Sequence, residues 1–164
     1  MRGRLLRPEV LVATAAAVVV AAIVAWLLWP SPAEPEVRER HYEATTACLL
    51  TGDKGLADEP ARAAWAGMRE ASAETAVKVQ YLAIAGPQTA ANGLSYFNTL
   101  GVQRCTVIVA VGDVPVAAMM DGHARFPDIR QVAVGGAPAE PITAVDTSSP
   151  SSIEDGVREV VTNA

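Results

Sequence analysis

Short apolar runs alternate with longer amphipathic runs along most of this chain, from Thr46 onward. The apolar runs have the length of strands, and the segments between them carry apolar residues at helical spacing. Strands that are separated by helices of this length pair in parallel, through right-handed crossovers. The pattern β-α-β-α-β-α-β-β-α therefore predicts an α/β fold, a three-layer α/β/α sandwich with a parallel sheet in the strand order 2-1-3-4-5.

Five strands are predicted, and their composition separates the centre of the sheet from its edge. Lys78 and Gln80 lie within the second strand, and these polar residues suit an edge position. The third strand is almost continuously apolar, as expected for a strand that helices cover on both faces. The predicted strands are Thr46–Leu50, Val77–Ile84, Cys105–Val111, Ile129–Val134 and Ile142–Val145.

The limits of the four predicted helices follow from capping residues. Serine, aspartate and glutamate side chains accept hydrogen bonds from the first turn of a helix, and glycine commonly ends one. The residues in these positions are Asp58 or Glu59 for the first helix, Asp113 for the third, Ser151 with Glu154 for the last, and Gly101 as the end of the second.

An uncharged apolar run of 20 residues, 10–29, precedes the α/β pattern. About 20 such residues span a bilayer, and the arginines before the run keep the N-terminus in the cytoplasm by the positive-inside rule. A cleaved signal peptide, which has a shorter apolar core, is the alternative. The sequence thus predicts a single-pass protein of the cell membrane: a cytoplasmic N-terminus (1–9), a transmembrane signal anchor (10–29), a Pro/Glu-rich spacer (30–43) and an extracytoplasmic α/β domain (44–164).

The charge of the exported part argues against a nucleic-acid partner. Residues 31–164 contain 10 Lys and Arg against 17 Asp and Glu, a net charge of −7. No basic stripe is present that could neutralise phosphates. His41 and His123 have no partner at metal-ligand spacing, so neither a metal nor a cofactor is expected.

Two cysteines, Cys48 and Cys105, leave two alternatives open. An exported domain permits a disulfide. However, Cys48 lies four residues before Gly52 and Cys105 seven before Gly112. If the strand ends align, the two cysteines are staggered by about 10 Å, whereas disulfide-bonded Cα atoms lie about 4.4–6.8 Å apart. A stagger of this size favours buried free thiols over a disulfide.

Candidate ligand-binding residues follow from the position of the strand ends. Ligands of open parallel sheets bind beyond the carboxyl ends of the strands. Glycines there let a ligand approach the backbone, helix N-termini offer N–H groups, and carboxylates accept hydrogen bonds from hydroxyls or amines. The ligand-binding residues predicted on this basis are Asp53, Lys54, Asp58, Gly112 and Asp113. A structural role competes at each, since Asp113 can cap its helix and Asp53 can stabilise its loop.

No catalytic arrangement is recognisable. The chain has no G-x-G-x-x-G after the first strand, no G-x-x-x-x-G-K-[ST] and no G-x-S-x-G. His123 is expected in the middle of a helix beside Met119 and Met120, as a half-buried residue rather than a base. Without a positioned nucleophile and base the sequence suggests no reaction, and we expect no enzyme.

Three stretches resemble the basic membrane protein (BMP) family, the solute-binding proteins of ABC transporters with the type I periplasmic-binding-protein fold. The first stretch contains two motifs, the loop Gly52-Asp53-Lys54-Gly55 and, on the following helix, Ala64-Trp65-Ala66-Gly67. The other two are Cys105–Gly112 and Phe126–Gly135. The loop departs from the family where Leu56-Ala57-Asp58 replaces an aromatic residue followed by Asn or Gln. The resemblance implies the first lobe of such a protein, without the second lobe that closes over the ligand.

The resemblance implies a membrane-anchored extracytoplasmic module that binds a nucleoside-like or sugar-like solute, with an ABC transporter permease as a possible partner. The alternative is a non-catalytic protein-interaction domain that has lost solute binding and pairs through its sheet edge or its open cleft, for example as a homodimer.

Overall fold

A computed structural model describes residues 45–164 of the chain as an α/β domain. Its five strands form one all-parallel sheet in the order β2-β1-β3-β4-β5, so the predicted topology is confirmed. The strands are β1 Thr46–Thr51, β2 Lys78–Ala83, β3 Val107–Val111, β4 Arg130–Val134 and β5 Thr143–Val145.

Within residues 45–164, four helices cover the two faces of the sheet: α1 Glu59–Thr75, α2 Ala90–Val102, α3 Asp113–Gly122 and α4 Pro150–Thr162. Side chains alternate along a strand, so β1 turns Ala47 and Leu49 toward one apolar layer and Leu50 toward the other. The first layer is shared with α1 and α4, and the second with α2 and α3. The three-layer sandwich therefore has two separate cores, one on each face.

The predicted membrane anchor and spacer, residues 10–29 and 30–43, lie outside the described residues, as does the cytoplasmic segment 1–9. Within residues 45–164, no helix combines the length and the apolar character that a bilayer crossing requires.

The α1 and α4 helices approach each other closely at Gly67. A Cβ atom added there would lie 2.2 Å from the carbonyl oxygen of Glu154. Arg158 of α4 extends across this contact, with Nε 3.6 Å from a carboxylate oxygen of Glu70 and Nη1 3.7 Å from one of Glu74. The absence of a side chain at Gly67 thus allows the backbones to pack against each other.

Two helix caps differ from the sequence prediction. Asp113 was expected to cap α3, but Gly112 occupies the cap position and Asp113 begins the helix. Ser151 was expected to cap α4 together with Glu154, but the Ser149 side chain accepts the capping hydrogen bond, from the Ser152 N–H. Several consecutive residues could cap these helices, and the direction in which the chain leaves the preceding strand decides among them.

Gly101 does not end α2, contrary to the prediction. The helix continues to Val102, and Gly101 packs against the ring of Phe126, whose nearest atoms would lie 2.4 Å from an added Cβ. The chain leaves the helix at Arg104, which has a left-handed backbone (φ 62°). The glycine therefore serves a close tertiary contact, which local sequence does not reveal.

The preference for free thiols was wrong, because Cys48 and Cys105 form a disulfide with a Cα–Cα distance of 5.9 Å. The strand ends do align as assumed, and Cys48 pairs with Ile108. The error lies in the assumption that Cys105 belongs to the strand, since β3 begins only at Val107. The turn at Arg104 directs Cys105 into the same apolar layer as Cys48 instead of along the sheet.

Among the strands of residues 45–164, β2 lies at the edge of the sheet, as predicted, and pairs with β1 alone. Tyr81 on this strand is 50% exposed. Its ring packs edge-on against Trp65 of α1, with 5.5 Å between the ring centroids. An aromatic pair therefore borders the unpaired edge.

Candidate functional site

A pocket of about 360 Å³ opens at the carboxyl ends of β1 and β3, where the fold predicts a ligand. All five predicted ligand-binding residues line it. The lining residues are Gly52, Asp53, Lys54, Asp58, Gln88, Val111, Gly112, Asp113, Val114 and Pro115. We call this the rim pocket.

The loop after β1 forms one wall of the rim pocket. The N–H of Gly55 donates to the carbonyl oxygen of Gly52 at 3.1 Å, which closes a tight turn. Asp53 and Lys54 occupy the two positions inside this turn, and both are exposed. A short 3-10 turn, Gly55–Ala57, then leads into α1. The turn thus presents a carboxylate and an ammonium group to the same opening.

Gln88, a residue that sequence reasoning missed, connects two of the rim loops. Its Oε1 accepts a hydrogen bond from the Asp53 N–H at 3.2 Å. Its Nε2 donates to the carbonyl oxygens of Ile84 and Gly86, at 2.9 and 3.1 Å. The signal for Gln88 was its position directly after Gly86-Pro87, at the carboxyl end of the second strand.

Within the described part of the chain, the carboxylates of the rim pocket have no hydrogen-bonding or ion-pair partner. Asp58 is half-buried and occupies the cap position of α1, yet its side chain accepts no capping hydrogen bond. Within residues 45–164, the carboxylates of Asp53, Asp58 and Asp113 form neither a hydrogen bond nor an ion pair. Together with one ammonium group, from Lys54, they make the pocket acidic. Such a lining suits ligands that donate hydrogen bonds, such as hydroxyls or amines.

Gly112 forms the turn between β3 and α3 on the opposite wall. Its backbone has φ 90° and ψ 172°, a conformation that is essentially restricted to glycine. Its N–H donates to the carbonyl oxygen of Val134 at 2.9 Å. An added Cβ would meet no atom within 4 Å, so the requirement for glycine is conformational and not steric.

The Gly112→Ala variant is expected to lower the free energy of unfolding by about 1–3 kcal/mol, the cost of a strained backbone conformation. Chemical denaturation measures the change. Ala117→Gly, at an exposed position of α3, is the control, because it also exchanges alanine and glycine in this segment. It should lower the free energy of unfolding by about 1 kcal/mol. A Gly112→Ala protein as stable as the parent would show that this turn relaxes without strain.

The rim residues beyond β4 and β5 do not line the rim pocket. Asp146, after β5, accepts hydrogen bonds from the Ser148 N–H at 2.9 Å and from the Ser148 hydroxyl at 2.8 Å. These hydrogen bonds stabilise the charged form and hold the pKa of the Asp146 carboxyl below its ordinary value. Asp146 therefore stabilises the turn that follows β5.

His123 lies away from the rim pocket, at the start of a 3-10 turn, His123–Arg125, that follows α3. The prediction of a mid-helix position was wrong, because α3 ends at Gly122. The residue is half-buried, and its Nδ1 lies 2.7 Å from the carbonyl oxygen of Met120. Across residues 45–164, no three His, Cys, Asp or Glu side chains cluster in a way that could hold a metal ion.

No protein-family model and no curated protein sequence matches this chain. Among solved structures, it is similar to a fragment of a protein described as a lipoprotein from Peptoclostridium difficile 630. The TM-score is 0.59 at 10% identity, and the match covers 73% of this chain and 99% of that fragment. At this identity the likeness shows the α/β fold alone.

Two further solved structures have lower scores. One is a transcriptional activator of the comK gene from Bacillus halodurans, with a TM-score of 0.49, 15% identity, and coverage of 71% of this chain and 50% of that one. The other is a solute-binding protein of an ABC transporter system from Aeropyrum pernix K1, with a TM-score of 0.48, 20% identity, and coverage of 60% and 27%. At these scores neither structure adds to the fold likeness already described, and the resemblance to the BMP family stays a prediction.

Proposed function

We propose that this protein is a membrane-anchored extracytoplasmic module that binds a small polar solute in the rim pocket and catalyses no reaction. The observation that carries the proposal is the convergence of Asp53, Lys54, Asp58, Gly112 and Asp113 on one pocket. Its volume of about 360 Å³ lies at the lower end of the range for small-molecule sites, about 300–1,000 Å³.

The disulfide supports a location outside the cytoplasm. Disulfides form and persist in oxidising compartments and are rare where thiols are kept reduced. The Cys48–Cys105 disulfide joins the start of β1 to the segment before β3. It agrees with the anchor and orientation that the sequence predicts for residues 10–29. The neighbour from Peptoclostridium difficile is described as a lipoprotein, and that description is compatible with a domain held at a membrane.

The lining of the rim pocket favours a sugar-like over a nucleoside-like solute. Its carboxylates can accept hydrogen bonds from hydroxyl groups, and Gln88 adds a polar side chain. The apolar part consists of Val111, Val114 and Pro115, and no aromatic side chain is among the described lining residues. A nucleobase would therefore find no ring to stack on, whereas a polyol would find several acceptors.

The rim pocket is open on one side, so the proposal includes a second component that would cover a bound ligand. Small-molecule sites normally bury about 70–90% of the ligand surface. As the first lobe of a BMP-type protein, this domain would contribute only one side of the cleft. The other side would come from a second lobe, a second copy of the chain or a transporter permease, and affinity would be low without it.

The alternative proposal is a protein-interaction domain in which solute binding is lost. The exposed Tyr81 on the unpaired edge strand β2 favours it, because edge strands and aromatic side chains are common in protein interfaces. Such a domain would form dimers through β2, and the rim pocket would have no ligand.

Thermal unfolding with a panel of sugars, polyols and nucleosides tests the first proposal. At a ligand concentration of 100 times Kd, the expected stabilisation is about 2.7 kcal/mol, which raises the Tm by several degrees. Asp113→Asn should abolish the increase. Asp121→Asn, an exposed position of the same helix outside the pocket, is the matched control and should keep it.

Two results together would reject solute binding in favour of the alternative. No compound of the panel would raise the Tm, and the protein would form dimers that dissociate on dilution and are absent in a Tyr81→Lys variant. An equal loss of response in Asp113→Asn and Asp121→Asn would show that the rim pocket is not the binding site.

A further inference from the structure

A polar side chain contacts the buried disulfide. Cys48 and Cys105 are 0% and 2% exposed. The side-chain amide Nε2 of Gln80 lies 3.1 Å from the sulfur of Cys48 and 3.7 Å from that of Cys105. The same nitrogen donates to Oε1 of Gln103 at 3.2 Å. An amide donor therefore contacts both sulfurs from the edge strand β2.

Gln80 and Gln103 also form part of the wall of a surface pocket of about 570 Å³. The other described lining residues are Thr46, Ser72, Lys78 and Val79. Since Thr46 and Lys78 begin β1 and β2, this pocket lies at the opposite end of the sheet from the rim pocket. Gln80 thus contacts both sulfurs and also lines this pocket, so the disulfide lies directly behind part of the pocket wall.

We infer that the Cys48–Cys105 disulfide is a thiol–disulfide exchange site, which a dithiol reaches through this pocket while the domain remains folded. A thiolate of the dithiol attacks the sulfur of Cys105. The S–S bond breaks, and its electron pair leaves on the sulfur of Cys48. A mixed disulfide then joins the dithiol to Cys105.

The second thiol of the dithiol, as its thiolate, completes the exchange by attacking the dithiol's own sulfur in the mixed disulfide. This attack releases Cys105 as a thiolate. The dithiol leaves as a cyclic or internal disulfide, oxidised by two electrons, and the protein has gained those two electrons. The two protons that the dithiol lost protonate the sulfurs of Cys48 and Cys105.

Gln80 is the positioning residue for this exchange. A leaving thiolate is a better hydrogen-bond acceptor than a disulfide sulfur, and exchange is faster when the leaving thiolate is stabilised. The amide of Gln80 is closer to Cys48 than to Cys105, which matches Cys48 as the leaving group.

The test follows the reduction of the full chain by dithiothreitol, with quenching by alkylation and mass measurement, in urea concentrations below the unfolding transition. Exchange in the folded domain gives a rate that is proportional to the dithiol concentration and nearly independent of urea. A rate that rises with urea in parallel with the unfolded fraction would overturn the inference, as would complete resistance of the folded protein.

The Gln80→Leu variant keeps most of the side-chain volume but cannot donate a hydrogen bond. Its reduction in the folded state should be about tenfold slower, because the charged leaving group loses its donor. Thr143→Val, a polar-to-apolar change on the opposite edge strand β5, should leave the rate unchanged. Equal rates of reduction for the parent and Gln80→Leu, at matched stability, would show that Gln80 has no role in the exchange. None of these outcomes depends on a solute in the rim pocket.

Discussion

Replacement of both Cys48 and Cys105 by alanine is expected to lower the free energy of unfolding by about 4 kcal/mol. The disulfide joins residues 57 positions apart. In the chain-entropy description, a closed loop of this length stabilises the folded state by about 4 kcal/mol at 25 °C, because it restricts the unfolded chain. This loss is a large part of the 5–15 kcal/mol that stabilises a typical domain.

Urea denaturation at equilibrium measures this effect, with the parent protein examined oxidised and after complete reduction. Reduction should destabilise the parent by a similar amount and leave the double alanine variant unaffected, which separates the loss of the bond from the loss of sulfur packing. A double variant within 1 kcal/mol of the oxidised parent would show that the disulfide contributes little to folding.

The Gly67→Ala variant is expected to destabilise the domain by about 3 kcal/mol or more, at the upper end of the cost of overpacking. The added Cβ would lie 2.2 Å from the carbonyl oxygen of Glu154 and 3.1 Å from the backbone nitrogen of Arg158. Both are backbone atoms of α4, so no side-chain rotation can relieve the clash. The α1 and α4 helices must separate, and the apolar layer between them loses its packing.

The Gly52→Ala variant is the matched control for this substitution. An added Cβ at Gly52 would approach only Oε1 of Gln88, at 3.4 Å, which is ordinary contact, and the backbone there is not left-handed. Its unfolding free energy should change by less than about 1 kcal/mol. A Gly67→Ala protein that is no less stable than Gly52→Ala would show that the α1–α4 contact can widen freely.

The contact at Gly67 shows what one of the stretches behind the predicted BMP resemblance does in this chain. Of the stretch Ala64-Trp65-Ala66-Gly67, Ala64 is buried in the core, Trp65 packs on Tyr81, and Gly67 permits the approach of α4. None of these residues lines the rim pocket. In this chain the stretch serves helix packing, and the loop before it carries three of the five candidate binding residues, Asp53, Lys54 and Asp58.

Apolar periodicity was sufficient to predict the fold of residues 45–164. Continuous apolar runs identified the central strands β1 and β3, and polar residues in the second run identified the edge strand β2. Once the strand order was inferred, the carboxyl ends of β1 and β3 had to be neighbours. For that reason five candidate residues could be predicted to meet, and they line one pocket.

Local sequence could not decide the residues whose role depends on a distant contact. Gly101 was predicted to end a helix. Glycine is required there because the ring of Phe126, from another segment, leaves no room for a side chain. Gln88 gave only a weak signal, because its hydrogen bond to Asp53 joins two loops that are distant in the sequence. Several neighbouring residues could have capped α3 and α4. The path of the chain before each helix decides which of them occupies the cap position.

The sequence by itself determined the elements, their parallel order and the edge at which acidic and glycine residues gather, because these follow from periodicity and from the handedness of crossovers. Only the tertiary structure decided the disulfide, since the left-handed turn at Arg104 takes Cys105 off the line of β3 and into contact with Cys48. The position of a residue within its own strand can be predicted from spacing in the sequence. The direction of the chain between elements depends on packing across the whole domain.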